Sequence, residues 1–363
     1  MKQEADGEGQ GSVLDNLFLW IDYYTAPLKD WLLDADGYGH KLALMLVAIA
    51  LFVVVMGAIL LLVDRPKRVP GWLVTRAFVG PAVLALVFGL VYPAARTVYS
   101  SFFNRNGTSY VGFANYIQSF TQNEFQLVLR NTALWVLLVP TVATAIGLIY
   151  AVLVDRTRFE RLAKSLMFLP MAISLVGAGI IWRFVYEYRA VLLDSEGNAQ
   201  RQQTGLLNQV LVWLGQDPHP FILSAPGNTF FLIAVLIWIQ AGFAMTILSA
   251  AIKAIPDDIV EAATIDGLAG MKMFRYITVP SIRPALVVVV TTIAMATLKV
   301  FDIVRTMTGG QFNTSVVANE FYTQSFVQGN AGLGAALAVI LFVIVIPLVV
   351  YNVRQMRISE EIR

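Results

Sequence analysis

Few side chains in this sequence could do covalent chemistry. There is no cysteine and there are only two histidines, His40 and His219, so neither a thiolate nucleophile nor a Cys- or His-built metal centre is on offer. No Gly-x-x-x-x-Gly-Lys-Ser/Thr stretch exists to cradle nucleotide phosphates, and no Ser-His-Asp set or pair of carboxylates within one apolar stretch suggests an enzyme. What remains is the chemistry of docking and of hydrogen bonding. The segment AIPDDIVEAATIDGLAGMKMFRYITVPSIRP, residues 254–284, reads as two short helices. Pro256 suits a first helical position, Asp257 and Asp258 suit the first turn, and Gly267 suits a left-handed stop. Ile259, Ala262, Ala263 and Asp266 share a face at i, i+3, i+4, i+7 spacing, kept shallow by its two alanines. A second helix from Leu268 gathers Gly270, Met273, Phe274 and Ile277, and Pro280 and Pro284 mark the return to the next apolar stretch in the membrane. A helix pair with an apolar face needs a partner surface to bury it.

The elements that must carry this segment lie in a bilayer. Of 363 residues, 57% are apolar and 14% charged, and the mean hydropathy of +0.68 lies far outside the soluble range. Seven windows of about 20 apolar residues, the length that crosses ~30 Å of hydrocarbon, fall near Leu42 to Val63, Arg76 to Arg96, Leu127 to Val154, Leu166 to Tyr186, Thr229 to Ile252, Ser281 to Val300 and Gly334 to Tyr351. A spanning backbone must satisfy its own hydrogen bonds, and the ten-residue alternation of a barrel is missing. The expected fold is an all-α polytopic transmembrane bundle of about seven spans. Ser12 to Leu33 is too often interrupted by charge to span and reads as an amphipathic surface helix. The net charge of +2 provides no overall field to draw nucleic acid.

Lys and Arg divide unevenly among the connections. Fifteen lie in DRPKRVPGWLVTR, DRTRFERLAK, Lys253 to Arg283 and the tail after Asn352, against six in the first 40 residues and the other connections. The first set alternates along the chain as one membrane side must, so the positive-inside tendency makes it cytoplasmic. The N-terminus is then outside and the C-terminus inside. The reading gives residues 1–40 as an acidic external segment, 41–70 as a first span with its basic connection, and 71–363 as the main bundle, with residues 254–280 projecting into the cytoplasm.

The run Glu261-Ala262-Ala263, three residues, Gly267, nine residues, Ile277, one residue, Val279-Pro280 resembles the EAA loop of permease subunits in binding-protein-dependent ABC importers, with Val279 replacing the usual leucine. The likeness extends from about Arg76 to Arg357 through WIQAGFAMTILSAAIKAIPDDIVEAATIDG, KSLMFLPMAIS, IWRFVYEYR and MTGGQFNTS, which are similar to the carbohydrate branch that includes the maltose permease, above all the alpha-glucoside type. The resemblance implies a six-span type I importer core with one extra N-terminal span, in a bacterial or archaeal plasma membrane.

It also implies a division of labour. The EAA helices would seat in a groove of an ATPase subunit, with Glu261, Ala262, Ala263, Asp266, Gly267, Phe274 and Pro280 as the coupling residues. Two ATPase copies would hold ATP and Mg, and this chain would hold no cofactor. A second EAA-bearing permease would complete the membrane part, and an external sugar-binding protein would dock on the connections near Asn104 to Glu124, Arg189 to Asn228 and Asp302 to Leu333. Sugars present hydroxyls around an apolar ring, so a path needs hydrogen-bonding groups beside an aromatic face. Gln240, Phe243, Thr292, Thr297 and Lys299 are the candidates, against a plainer alternative in which Thr bonds its own helix, Phe243 only packs and Lys299 pairs with Asp302. Arg183 and Glu187, four apart, are expected to form a structural ion pair. The competing functional class is an ion-coupled secondary transporter, which would call for a broken-helix repeat and mid-membrane carboxylates.

Overall fold

The computed structural model describes residues 37–63, 71–155, 157–189, 192–193, 199–200 and 205–361, together with single positions between 20 and 31. The surface helix expected over Ser12 to Leu33 lies almost wholly outside the described residues, as does most of the first basic connection. The chain divides into two units, Met1–Tyr92 and Pro93–Arg363.

In the first unit, helix α1 (Tyr38–Val63) is apolar all round and its side chains are largely exposed, as lipid-facing residues are without a bilayer around them. Helix α2 (Gly71–Leu86) runs on through a π-turn, Val87–Val91, into α3 (Tyr92–Ser100).

The second unit holds the core. After α4 (Ala114–Thr121) comes the long α5 (Asn123–Val154), then α6 (Glu160–Phe168) and α7 (Leu175–Val185). A two-residue hairpin, β1 (Leu192–Leu193) with antiparallel β2 (Ala199–Gln200), and α8 (Leu206–Trp213) lead to α9 (Asn228–Lys253). Helix α5 crosses α9 through small residues. A Cβ placed on Gly147 would lie 2.6 Å from the Ala244 Cβ and the Met245 nitrogen, so only glycine lets the two backbones approach this closely. Trp135, Val139, Leu232, Leu236, Met245 and Leu248 fill the buried core around that crossing.

Among the described residues, five helical segments are long and apolar enough to cross a membrane, and seven are if two bent pairs each count as one span. The bent pairs occupy the windows expected to span at Leu166 to Tyr186 and Ser281 to Val300, each broken by a turn. In the first pair, Glu160–Ala172 meets Leu175–Val185 at 101°. The chain tightens to a 3₁₀ turn at Leu169–Ala172 around buried Pro170, and Ser174 then caps a new helix by accepting from the Gly177 amide at 3.0 Å. The bend rests on α9 at Gly242, where a Cβ would come within 2.3 Å of the Met167 carbonyl oxygen. In the second pair, Met271–Ser281 meets Arg283–Leu298 at 70°.

The remaining elements are α10 (Asp257–Ile265), α11 (Met271–Met273), α12 (Val279–Ser281), α13 (Arg283–Leu298), α14 (Asp302–Met307), α15 (Val317–Tyr322) and α16 (Ala331–Glu361). The all-α bundle expected from the sequence is therefore the architecture found, the small hairpin apart.

Candidate coupling loop and translocation path

The helix pair at residues 257–281 forms as the residue pattern requires, with local corrections. Pro256 is the N-cap of α10, with extended backbone, and not its first helical residue; Asp257 and Asp258 occupy the first turn. The helix closes in a Schellman motif: the Gly267 amide donates to the Thr264 carbonyl and the Leu268 amide to the Ala263 carbonyl, both at 3.0 Å. Gly267 takes φ of 81°, the left-handed value that a β-carbon penalises. Gly270, expected inside the second helix, instead precedes it at φ of 53°. Two left-handed glycines thus bracket a short link between the helices.

The faces are also sorted differently from the pattern. Ala263 is buried within the chain, whereas Glu261, Ala262, Asp266 and Ile259 are exposed. The surface left for a partner is therefore the Ile259, Ala262, Asp266 side, together with Ile265, which is 81% exposed. Met273, Phe274 and Ile277 lie half-buried on the second helix. That helix widens to a π-turn over Phe274–Thr278, just ahead of Pro280, which has no N–H to give the carbonyl four residues back.

The path candidates separate once placed. Gln240 and Phe243 are half-buried on α9, and the Gln240 amide makes no hydrogen bond among the described residues. Thr292 is half-buried on α13. Thr297 is fully buried and donates to the Ile293 carbonyl at 2.7 Å, so its hydroxyl proton serves its own helix. Lys299 ends α13, exposed, and makes no ion pair with Asp302.

Two further groupings escape a reading by motif. At the ends of α5 and α9, Asp155, only 8% exposed, accepts from Lys164 and, at 2.7 Å, from Ser249; Lys164 also bonds Glu160 at 2.8 Å, and Lys253 bonds Glu160. This network fastens α6 to the last turn of α9, immediately before the helix pair. At the opposite end, a cavity of about 1020 Å³ is lined by Arg183, Glu187 and Tyr188, by Arg305, and by Gln311 and Phe312. The expected Arg183–Glu187 pair does not form. Helix α7 ends at Val185, the helical four-residue spacing lapses, and Glu187 instead accepts from Arg189 at 3.0 and 3.1 Å. Asp155 ending a span and the double glycine of MTGGQFNTS were the signals in the sequence, but neither names its partners.

Residues 123–357 match the model of the family described as the binding-protein-dependent transport system inner membrane component. The chain belongs to this family of permeases. The permease is 44% identical over 286 residues to the osmoprotective compounds uptake permease protein GgtC of Synechocystis sp., covering 79% of this chain and 100% of that protein. It is 46% identical over 278 residues to the alpha-glucoside transport system permease protein AglF of Rhizobium meliloti, covering 76% and 80%. A chain of a bacterial alginate ABC transporter solved with an alginate pentasaccharide-bound periplasmic protein shares its fold, with TM-score 0.64 at 21% identity over 77% of this chain and 92% of that one. The permease is thus a multi-pass membrane protein of the ABC importer class, and the ion-coupled alternative falls away. The matched region contains the helix pair, the charged network and the cavity lined by Phe312.

Proposed function

We propose that this permease forms the path for an α-glucoside or a related small glucosidic osmolyte, and that helices 257–281 couple it to a separate ATPase. The observation that carries the reading is the identity to the two relatives above, 44% and 46% across most of their length, together with an exposed helix pair where the EAA spacing falls. Glu261 on the exposed side of α10 would meet a cationic side chain of the ATPase, and the Gly267–Gly270 link would let the pair adjust to it. Two ATPase copies would supply ATP and Mg. A second permease would complete the membrane part, and an external binding protein would deliver the sugar. The basic connections would lie in the cytoplasm, with the N-terminus outside.

Within the membrane, Gln240 and Phe243 lead the path candidates: one is an amide without a partner among the described residues, the other an aromatic face three residues on. Thr292 and Lys299 stand as second candidates, and Thr297 as the weakest because its hydroxyl is committed.

The test is purification followed by transport. A tagged chain is expected to copurify with an ATP-binding subunit and a second permease. The assembled complex in proteoliposomes should import an α-glucoside with ATP inside after ion gradients are collapsed. Transport lost with the gradients would refute the reading. In the same complex Gln240→Ala should lower sugar-stimulated ATP hydrolysis several-fold, about what one lost hydrogen bond to substrate removes; an unchanged dose response removes Gln240 from the path.

A further inference from the structure

The outer cavity is built on a loop whose backbone is held in an uncommon shape. Between Gly309 and Asn313, four residues have left-handed backbone: Gly309 at φ 68°, Gly310 at 84°, Phe312 at 56° and Asn313 at 63°. Two of these carry β-carbons, and a bulky residue there is strained unless its surroundings enforce the geometry. They do so here. The fully buried Asn228 at the start of α9 donates to the Phe312 carbonyl at 2.7 Å. The buried Asn131 of α5 donates to the carbonyls of Asn313 and Ser315 at 2.7 and 3.0 Å. Gly310 is packed so that a Cβ would come within 2.3 Å of the Asn319 amide nitrogen. Two membrane helices therefore spend buried amides on holding one loop, and the side chain presented at its tip is Phe312, 45% exposed on the cavity wall.

What surrounds that ring suits a saccharide. Arg183 is exposed and makes no ion pair among the described residues, Gln311 is exposed, and half-buried Tyr188 lines the same space. The Glu187 carboxylate is paired with Arg189, so the charge left facing the cavity is the cationic donors of Arg183 and Arg305, which hydroxyl oxygens can accept from beside the amide of Gln311. The site is distinct from the mid-membrane candidates. Phe312 is tied to Asn228, and Gln240 lies twelve residues further along the same helix, roughly 18 Å at 1.5 Å per residue.

We propose that this cavity is an outer-mouth saccharide subsite, in which one pyranose ring lies on Phe312 and its hydroxyls bond Arg183, Gln311 and Tyr188. It rests on the reading of the chain as an α-glucoside permease and adds a station that the sugar occupies before it reaches the depth of Gln240.

The experiment uses the complete importer in proteoliposomes with its binding protein, assayed with radiolabelled trehalose, sucrose and glucosylglycerol. If none is imported, the α-glucoside reading fails and the subsite fails with it. With an imported sugar, two variants decide. Phe312→Asn suits left-handed backbone without a ring and should lower sugar imported per ATP hydrolysed about tenfold, while Phe312→Tyr restores it. Equal ratios in wild type and Phe312→Asn, or equal losses in both variants, overturn the proposal while leaving the permease reading intact. Occupancy has its own readout. Leu223, 40% exposed on the cavity wall, is a site for the sole thiol of an otherwise cysteine-free chain. Maleimide should alkylate Leu223→Cys more slowly when the imported sugar is present, and the protection should vanish on adding Phe312→Asn. Alkylation indifferent to sugar refutes the subsite.

Discussion

Gly267 shows how much one residue can carry. No atom lies within 4 Å of a Cβ built on it, so a substitution there meets open space and suffers only through φ. That separates backbone strain from crowding. Gly267→Val should cost about 1–2 kcal/mol in left-handed backbone and distort the turn, whereas Gly267→Asn should be tolerated. The expected outcome is impaired uptake with retained membrane expression for valine and near-normal uptake for asparagine; normal uptake in both would count against a coupling role. The left-handed stop was legible in the sequence because a glycine that follows a helical pattern has few other uses. The inward turn of Ala263 was not. Spacing puts Ala262 and Ala263 on one shared face of the helix, and which edge of that face the bundle covers depends on tertiary packing alone.

Helices, as units, were read well where they are long and uninterrupted. The boundaries of α5 and α9 fall within four residues of the apolar windows, as does the start of α16, because hydrophobic length is a bulk property of a segment; α16 runs on past its window to Glu361 through polar residues. The two bends were invisible to that measure. A window average passes over Pro170 or Ile282 without noticing the turn, and the apolar residues on both sides still add up to a span. The charged network was missed for a related reason: Asp155, Lys164, Ser249 and Lys253 come from three elements, and only packing brings them together. Asp155→Ala removes an acceptor shared by Lys164 and Ser249 and should destabilise the assembly by about 1–3 kcal/mol, discounted toward the low end because Lys164 is 23% exposed. Thermal unfolding of the detergent-solubilised complex would show it as a lowered midpoint, and an unshifted midpoint would mean that the network fastens nothing. Gly147→Leu tests the α5–α9 crossing in the same assay. Overpacking of this kind typically costs about 1–3 kcal/mol, and because the obstacle at 2.6 Å includes backbone, the variant should fail to accumulate or to bind its partners.

At the scale of the whole molecule, the polar devices sort toward the two ends of the bundle. The amide-braced loop and its cavity occupy one end; the charged network and the helix pair occupy the other, and the long helices α5 and α9 run between them, each touching a device at both ends. The EAA spacing made the helix pair at the second end legible from sequence, though not the network beside it. The first end was not, because Asn131 and Asn228 belong to no motif and their partners lie 182 and 84 residues away in the chain. Salt dependence should follow this division. Surface charge contacts weaken with ionic strength, so raising salt should weaken the proposed docking of an ATPase at Glu261 and Asp266 while leaving the proposed stacking on Phe312 unaffected, measurable as loss of copurifying ATPase with sugar protection of Leu223→Cys retained. The 70° corner at Ile282 has a mechanical meaning beyond its effect on span counting. Ile282 is 2% exposed, and backbone hydrogen bonds pass through it on both sides, from the Ile282 amide to Thr278 and from the Leu286 amide to Ile282, so the corner is stiff. Its two arms, Met271–Ser281 and Arg283–Leu298, are roughly 16 and 24 Å long at 1.5 Å per residue. A bent rod of these proportions, pivoted at its corner, would act as a bell crank: a push on the short arm would be returned as a swing of the long one, in another direction and enlarged by roughly one half.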